Sequence, residues 1–415
     1  MSPNVQLSSG HRLGLLPGGD ALFAALEQAM DAAQVSVHLE TYIFHFKGAP
    51  LRVAEALERA AQRGVAVRLV VDGVGTGALP AEWTDRFVRA GVDVKVYAPL
   101  GKLGLLLPSR WRRLHRKLCV IDGVLGFCGG INLLDDRLAL PDNPLQQPRF
   151  DFAVRCVGPL VETMADTMLQ LWWRMQAMRR ARQHEFRAAW LALKAGKPVG
   201  DFSDWRVSVP LVGWRWRQPP PQVDNAQATL VLRDNVWHRA DIERAYLWAI
   251  RTAQHEVLLA NAYFVPGGRM RRALVQAVAR GVRVRVLTQG RYEGFMQYHA
   301  ARPVYRGLLD AGVDIREYTP SDLHAKVAVV DGRWATVGSS NLDPLSLLLA
   351  REANVVTSDA RFAADLRERL HDALAHASRP VDHQALLNQP WSRRVQDRLA
   401  FALMRLAIFL SGHRY

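Results

Sequence analysis

The chain has 415 residues, enough for two domains of ordinary size, and carries a formal net charge of +15 from 54 Lys and Arg against 39 Asp and Glu. So large a basic excess points to a polyanionic partner, either nucleic acid or an anionic membrane surface. Three cysteines argue against a disulfide framework and suggest a reducing compartment; the N-terminus shows no secretory signal, and the longest apolar runs, Leu103 to Leu107 and Phe401 to Leu410, are too short to span a bilayer.

The spacing of apolar residues predicts an alternation of helices and strands. Val5 to Leu16 reads as one strand and a turn. Asp20 to Ala33 carries a helical stripe of Leu22, Phe23, Leu26 and Met30. Val35 to Phe44 reads as a buried strand, Leu51 to Gln62 as an amphipathic helix ended by Arg63-Gly64, and Val65 to Val71 as a strand. Glu82 to Ala90 is a predicted helix, Gly91 its stop, and Val92 to Tyr97 a strand. Met164 to Lys194 is helical and rich in Arg and Trp. Gly196 to Asp224, with Pro198, Pro210 and Pro219 to Pro221, reads as a linker.

The second half repeats the order of the first. His255 to Phe264 is a predicted strand and Gly268 to Ala279 a helix. Arg280-Gly281-Val282 repeats Arg63-Gly64-Val65, and Ala311-Gly312-Val313-Asp314 repeats Ala90-Gly91-Val92-Asp93. Arg361 to Ala377 reads as the closing helix. The expected boundaries are 1–195 for the first half, 196–228 for the linker, 229–380 for the second half and 381–415 for a basic amphipathic tail. This is duplication of one α/β unit rather than a short solenoid repeat.

The duplication carries a motif. His115-Arg116-Lys117 and His324-Ala325-Lys326 each precede Asp-Gly, at Asp122 and Asp331, and then a small-residue turn ending in Asn132 or Asn341. In a strand, residues i and i+2 face the same way, so each His projects with its Lys. Two such units packed about a pseudo-two-fold axis would gather two imidazoles, two ammonium groups and two amides. The Lys and Asn side chains would cradle phosphate oxygens. One imidazole would attack phosphorus while the other protonates the leaving oxygen. His-x-Lys has no metal-ligand logic, so neither metal nor cofactor is expected. Asp151 and Glu352 follow the first and second motifs, each before an apolar strand-like stretch, and are candidates for orienting the imidazoles. Cys119, inside the first motif, alternates with Val120 and reads as a small core residue.

His-x-Lys-x4-Asp-x6-Gly-(Gly/Ser)-x-Asn, present twice, resembles the signature of the phospholipase D superfamily. Within that superfamily the chain is most similar to bacterial cardiolipin synthases of the B type, through Glu40 to Phe44, Leu114 to Lys117, Ala260 to Phe264 and Trp334 to Ser346. The resemblance implies a duplicated α/β/α sandwich with two halves related by pseudo-two-fold symmetry. It implies phosphatidyl transfer between two phosphatidylglycerol molecules through a phosphatidyl-histidine, with His115 as nucleophile and His324 as acid and then base. It counts Asp122 and Asp331 with the catalytic motif, although Asp-Gly is also a turn signature that favours a structural role. Glu40 and Asn261 are expected at matching strand ends near the site. The expected partners are phosphatidylglycerol and the cytoplasmic face of the bacterial inner membrane, with no nucleic acid. Oligomeric state has no signal in the sequence. The acceptor alcohol stays open between a lipid, glycerol and water, and a hydrolase or a nuclease of the superfamily would use the same chemistry. Leu105, Leu106 and Trp111, in the loop before the first motif, and Trp391, in the tail, are the expected membrane contacts.

Overall fold

In a computed structural model, residues 6–101, 104, 111–139, 143–183, 185, 190–191, 194, 222–234, 238–291, 295–343 and 350–410 are described. The first half runs β1 (Ser8–Pro17), α1 (Gly18–Ala32), β2 (Ser36–Thr41), α2 (Leu51–Gln62), β3 (Ala66–Asp72), α3 (Ala81–Ala90), β4 (Asp93–Tyr97), β5 (Arg113–Leu114), β6 (Lys117–Ile121), β7 (Leu125–Gly129), the small pair β8 (Leu138–Ala139) and β9 (Asn143–Pro144), β10 (Phe152–Val157) and α4 (Leu160–Arg182). The second runs β11 (Gln222–Arg233), α5 (Asp241–Thr252), β12 (Glu256–Asn261), α6 (Gly268–Ala279), β13 (Arg283–Gln289), α7 (Phe295–Asp310), β14 (Asp314–Tyr318), β15 (Lys326–Val330), β16 (Trp334–Gly338), β17 (Ala350–Thr357), α8 (Ala360–His376), β18 (Ser378–Pro380), α9 (His383–Leu387) and α10 (Trp391–Leu410).

The strands form one sheet in the order β18-β14-β13-β12-β15-β16-β17-β11-β1-β10-β7-β6-β2-β3-β4. Each half contributes a parallel trio, β2-β3-β4 or β12-β13-β14, and then turns antiparallel toward the centre. The seam is β11 on β1. Sequence reading assigned residues 222–228 to the linker, but they are the start of this seam strand. Its inward residues there are Ala226 and Ala228, too small to give a strong apolar alternation, and Asp224 and Asn225 read as turn formers.

Successive strand residues feed opposite faces of the sheet. Cys119, Ile121 and Phe127 pack under α1, α2 and α3, and Ala328 and Val330 under α5, α6 and α7. Leu118, Val120, Val327 and Val329 point the other way, into one continuous layer covered by Met164 and Met168 of α4 and Phe362, Leu366 and Leu370 of α8. The architecture is therefore helices, sheet, helices, as the resemblance implied. The repeat extends to backbone angles: Gly64 and Gly281 stop α2 and α6 at φ +88° and +86°, a left-handed conformation in which a side chain would be strained.

The tail helix α10 docks on α7. His299 Nδ1 lies 2.6 Å from Asp397 Oδ1, and Ala400 is fully buried. Among the described residues no helix is long and apolar enough to cross a membrane.

Candidate active site

Each motif enters its strand only after being caught by the other half. The N–H groups of His115 and Arg116 both donate to the Arg351 carbonyl, at 3.1 and 2.8 Å. Those of His324 and Ala325 both donate to the Phe150 carbonyl, at 2.9 and 3.0 Å. Arg351 immediately precedes Glu352, and Phe150 precedes Asp151, so the same crossing delivers the acids. His115 Nδ1 meets Glu352 Oε1 at 2.9 Å, and His324 Nδ1 meets Asp151 Oδ2 at 2.7 Å. The acid that follows each motif in the chain thus serves the histidine of the other motif. Carboxylate contact at Nδ1 fixes the ring and leaves Nε2 as the nitrogen available for chemistry.

The lysines are buried beside them, Lys117 at 6% exposure and Lys326 at 0%. Lys117 Nζ donates to the His115 carbonyl at 2.6 Å, and Lys326 Nζ donates to that of His324. Tyr42 packs its ring edgewise on His115, with centroids 4.9 Å apart, and lies 5.5 Å below Lys117 Nζ.

Burial and the clustered cations set the charges. Desolvation pushes His115 below its ordinary value, opposed by Glu352, and His324 falls well below it, with both lysines adding to the burial effect. Desolvation also lifts Asp151 to about 7, against the pull of Lys326, and brings Lys117 down to about 7. Burial thus favours neutral imidazoles, while Asp151, raised to about 7, holds a proton beside His324 close to neutral pH. That lysine and imidazole of one half bear on the groups of the other fixes six side chains in a single site.

The two acids are supported differently. Ser339 Oγ donates to Glu352 Oε2 at 2.5 Å and accepts from the Ala353 N–H at 3.1 Å. The matching residue in the first half is Gly130, where a Cβ would stand 2.4 Å from Asp151 Oδ1. Asp151 instead accepts from the Phe152 N–H at 2.7 Å.

Asp122 and Asp331 do not belong to the catalytic set, a correction to the motif-based expectation. Asp122 accepts from the N–H groups of Gln34, Val35 and Ser36, and Asp331 from those of Gln254, His255 and Glu256. Both sit at φ +51° just beyond β6 and β15, at the ends remote from His115 and His324, and tie the start of β2 or β12 to the turn. Asn132 and Asn341 are buried after β7 and β16; Asn132 Oδ1 accepts from Ile43 N–H at 3.3 Å, which leaves its amide nitrogen as the donating end.

Glu40 and Asn261 do not match each other. Glu40 pairs with Leu118, whereas Asn261 pairs with Lys326, so strand register aligns Glu40 with Ala260 and Thr41 with Asn261. A one-residue slip puts them on opposite faces. Glu40 is locked to Arg116, at 2.5 and 3.1 Å, and Asn261 Oδ1 accepts from Leu342 N–H at 3.0 Å. Both are structural anchors. Leu105 and Leu106 lie outside the described residues; Trp111 is half-buried, and Trp391 is 79% exposed on α10. Cys119 is core, as expected.

Two supporting residues escaped sequence reading. Asp72 closes β3 and accepts from Leu114 N–H at 2.8 Å and from Arg113 at 3.1 Å. Gln289, at the same place on β13, accepts from Leu323 N–H at 3.2 Å. Each holds the residue just before a motif histidine. The signal was a polar residue followed by Gly at both strand ends, Asp72-Gly73 and Gln289-Gly290.

Comparison with known proteins agrees with this geometry. The family described as cardiolipin synthase, PLD-like domain, matches residues 26–142 and 246–374. The chain belongs to this family of phospholipase D-like enzymes. Cardiolipin synthase B of Shigella flexneri is 36% identical over 396 residues, covering 95% of this chain and 88% of that protein; the Escherichia coli K12 protein of the same name gives the same figures. The crystal structure of phosphatidylserine synthase from Haemophilus influenzae shares the fold, with TM-score 0.66 at 11% identity over 98% of this chain and 97% of that one.

Proposed function

We propose that this enzyme is a cardiolipin synthase that moves a phosphatidyl group from one phosphatidylglycerol to another through a covalent histidine intermediate. The observation that carries the reading is the crossed pair of carboxylate-held imidazoles with two buried lysines between them. His115 Nε2 attacks the donor phosphorus, the phosphorus–oxygen bond to glycerol breaks, and His324 gives that oxygen its proton. His324 then takes the proton from a hydroxyl of the second lipid, which attacks phosphorus and releases His115. Lys117 and Lys326, with the amides of Asn132 and Asn341, stabilise the charge on the non-bridging oxygens. Glu352 and Asp151 orient the two rings.

The family membership supports the substrate. The +15 net charge favours an anionic bilayer. Trp391, Val395, Leu399 and Leu403 form an exposed stripe at four-residue spacing along α10, beside the exposed Arg393, Arg394 and Arg398. This pattern suits peripheral insertion at the cytoplasmic face of the inner membrane. Incubation with vesicles of phosphatidylglycerol tests the reading by mass spectrometry. Cardiolipin and glycerol in equal amounts are expected; phosphatidic acid as the sole lipid product would make the enzyme a hydrolase instead.

A further inference from the structure

The two imidazoles are held alike, yet the strand residues beside their acids differ. Arg233 closes the seam strand β11 and is 2% exposed. It pairs directly with Glu352 of β17, and residues opposite each other in an antiparallel ladder share a face of the sheet. The matching position in the first half is Gly18. Pro17 pairs with Phe152 as Leu232 pairs with Ala353, and the next step puts Gly18 beside Asp151, where its N–H donates to the Asp151 carbonyl at 2.9 Å. One buried acid therefore has a guanidinium alongside, and the other has no side chain there.

The bonds that Arg233 makes do not account for its charge. Nη1 donates to the Ala350 carbonyl, one residue before the Arg351 carbonyl that catches the first motif. Nε is buried and has no hydrogen-bond partner among the described residues. A brace for a carbonyl needs only a neutral donor, and burying a cation with an idle donor is costly unless nearby carboxylates offset it. Desolvation brings the Arg233 guanidinium down to about 10, and Glu352 opposes that fall more than Asp234 or Asp343 does. Glu352 faces His115 and Lys117 from the first half, Ser339 after β16, Cys128 of β7 and Arg233 from β11, and Lys326 acts on both His115 and Lys117. Burial brings Lys117 down to about 7, whereas Arg233 keeps its charge well above neutral pH.

We infer that Arg233 is a further positioning residue of the active site, whose fixed charge balances the Glu352 carboxylate and so keeps Nε2 of His115 free of a proton. The consequence for turnover rests on the proposed transfer reaction. The first half has Gly18 at this position, and there desolvation lifts Asp151 to about 7 despite Lys326. A buried anionic pair takes up a proton more readily when a neighbouring cation is removed. Without Arg233 the His115–Glu352 pair would gain its proton at higher pH, and the share of enzyme with an open Nε2 would fall.

Titration of the ring tests this apart from turnover. Full-length protein labelled at the histidine Cε1 carbon is titrated by NMR, and the His115 resonance is identified by its loss in His115→Ala. In Arg233→Met and Arg233→Gln the midpoint of the His115–Glu352 pair should rise by at least about half a pH unit. Arg233→Lys, which keeps a charge without the planar fork of donors, should move it by less than half as much. On phosphatidylglycerol vesicles the acid limb of kcat should move up with the midpoint in the neutral variants, with KM unchanged. An unmoved midpoint in a folded neutral variant, or the same shift with Lys as with Met, would reduce Arg233 to a brace for Ala350 and overturn the inference. Loss of the folded state in both neutral variants would overturn it too. A raised midpoint beside a wild type that releases no glycerol from phosphatidylglycerol would keep the role of the charge and remove the transfer reaction.

Discussion

The His115–Glu352 and His324–Asp151 units occupy equivalent places in a duplicated fold and are built from different parts. Glu352 is the longer acid and is held by the Ser339 hydroxyl. Asp151 is shorter and approaches so closely that only Gly130 fits at the position of Ser339. Lys326 and Lys117 both press His324 toward neutrality, and Asp151 is raised to about 7, so its unit exchanges a proton near physiological pH. In the other unit Glu352 opposes the desolvation of His115. Duplication of the unit supplies two similar histidines; the acid and its support set them apart.

The largest effects should come from the histidines. His115→Ala and His324→Ala should each lower turnover of phosphatidylglycerol by roughly 10⁴-fold or more, with circular dichroism unchanged. Substantial residual cardiolipin in either variant would break the two-histidine scheme.

Next come the acids. Glu352→Gln and Asp151→Asn should each cost roughly 10² to 10⁴ in kcat, as expected when an imidazole loses its orienting carboxylate. The crossing can be read from double mutants. Glu352→Gln should add little to His115→Ala, and Asp151→Asn little to His324→Ala. Coupling of Asp151 with His115 instead would mean that the acids serve their own halves.

The pH profile sharpens the comparison further. His115 must be neutral to attack, and its pKa is lowered, so the acid limb of kcat/KM should lie below pH 6.5. As pH rises through about 7, Lys117 loses its charge and the Asp151–His324 unit its proton, so activity falls. Asp151→Asn should move that alkaline limb, and Ser339→Ala should not. A profile flat from pH 6 to 9 would contradict the assigned charges.

The smallest effect on catalysis should come from Asp122→Ala. Loss of three N–H acceptor contacts should destabilise the fold by about 2 kcal/mol in denaturant titration, and folded protein should keep its pH profile. A shifted profile would return Asp122 to the catalytic set.

Much of this was legible from periodicity and from the repeat. The helices over 51–62 and 268–279, the paired glycine stops and both His-x-Lys pairs are local patterns. That Asp151 and Glu352 would reach the motif histidines was legible too, because both precede strands that enter the core. Their crossing was not, since it depends on which carbonyl catches which motif across the interface between the halves. The Glu40 and Asn261 mismatch was hidden for a related reason: similar flanking residues suggested a register one residue away from the paired one. The seam strand β11 was missed because alanine serves as well as leucine where two strands meet under a covering helix. Asp122 and Asp331 show the converse. Their place in a catalytic signature reflects the fold that holds the signature, through a turn that needs a left-handed acid.

The central claim is the division of labour between two equivalent histidines, and a donor with a leaving group that needs no acid tests it directly. With phosphatidyl-p-nitrophenol, His324→Ala should release one nitrophenol per active site in a burst and leave the phosphatidyl label on the peptide that contains His115. His115→Ala should give no burst. A burst from His115→Ala, with label on the peptide that contains His324, would contradict the account.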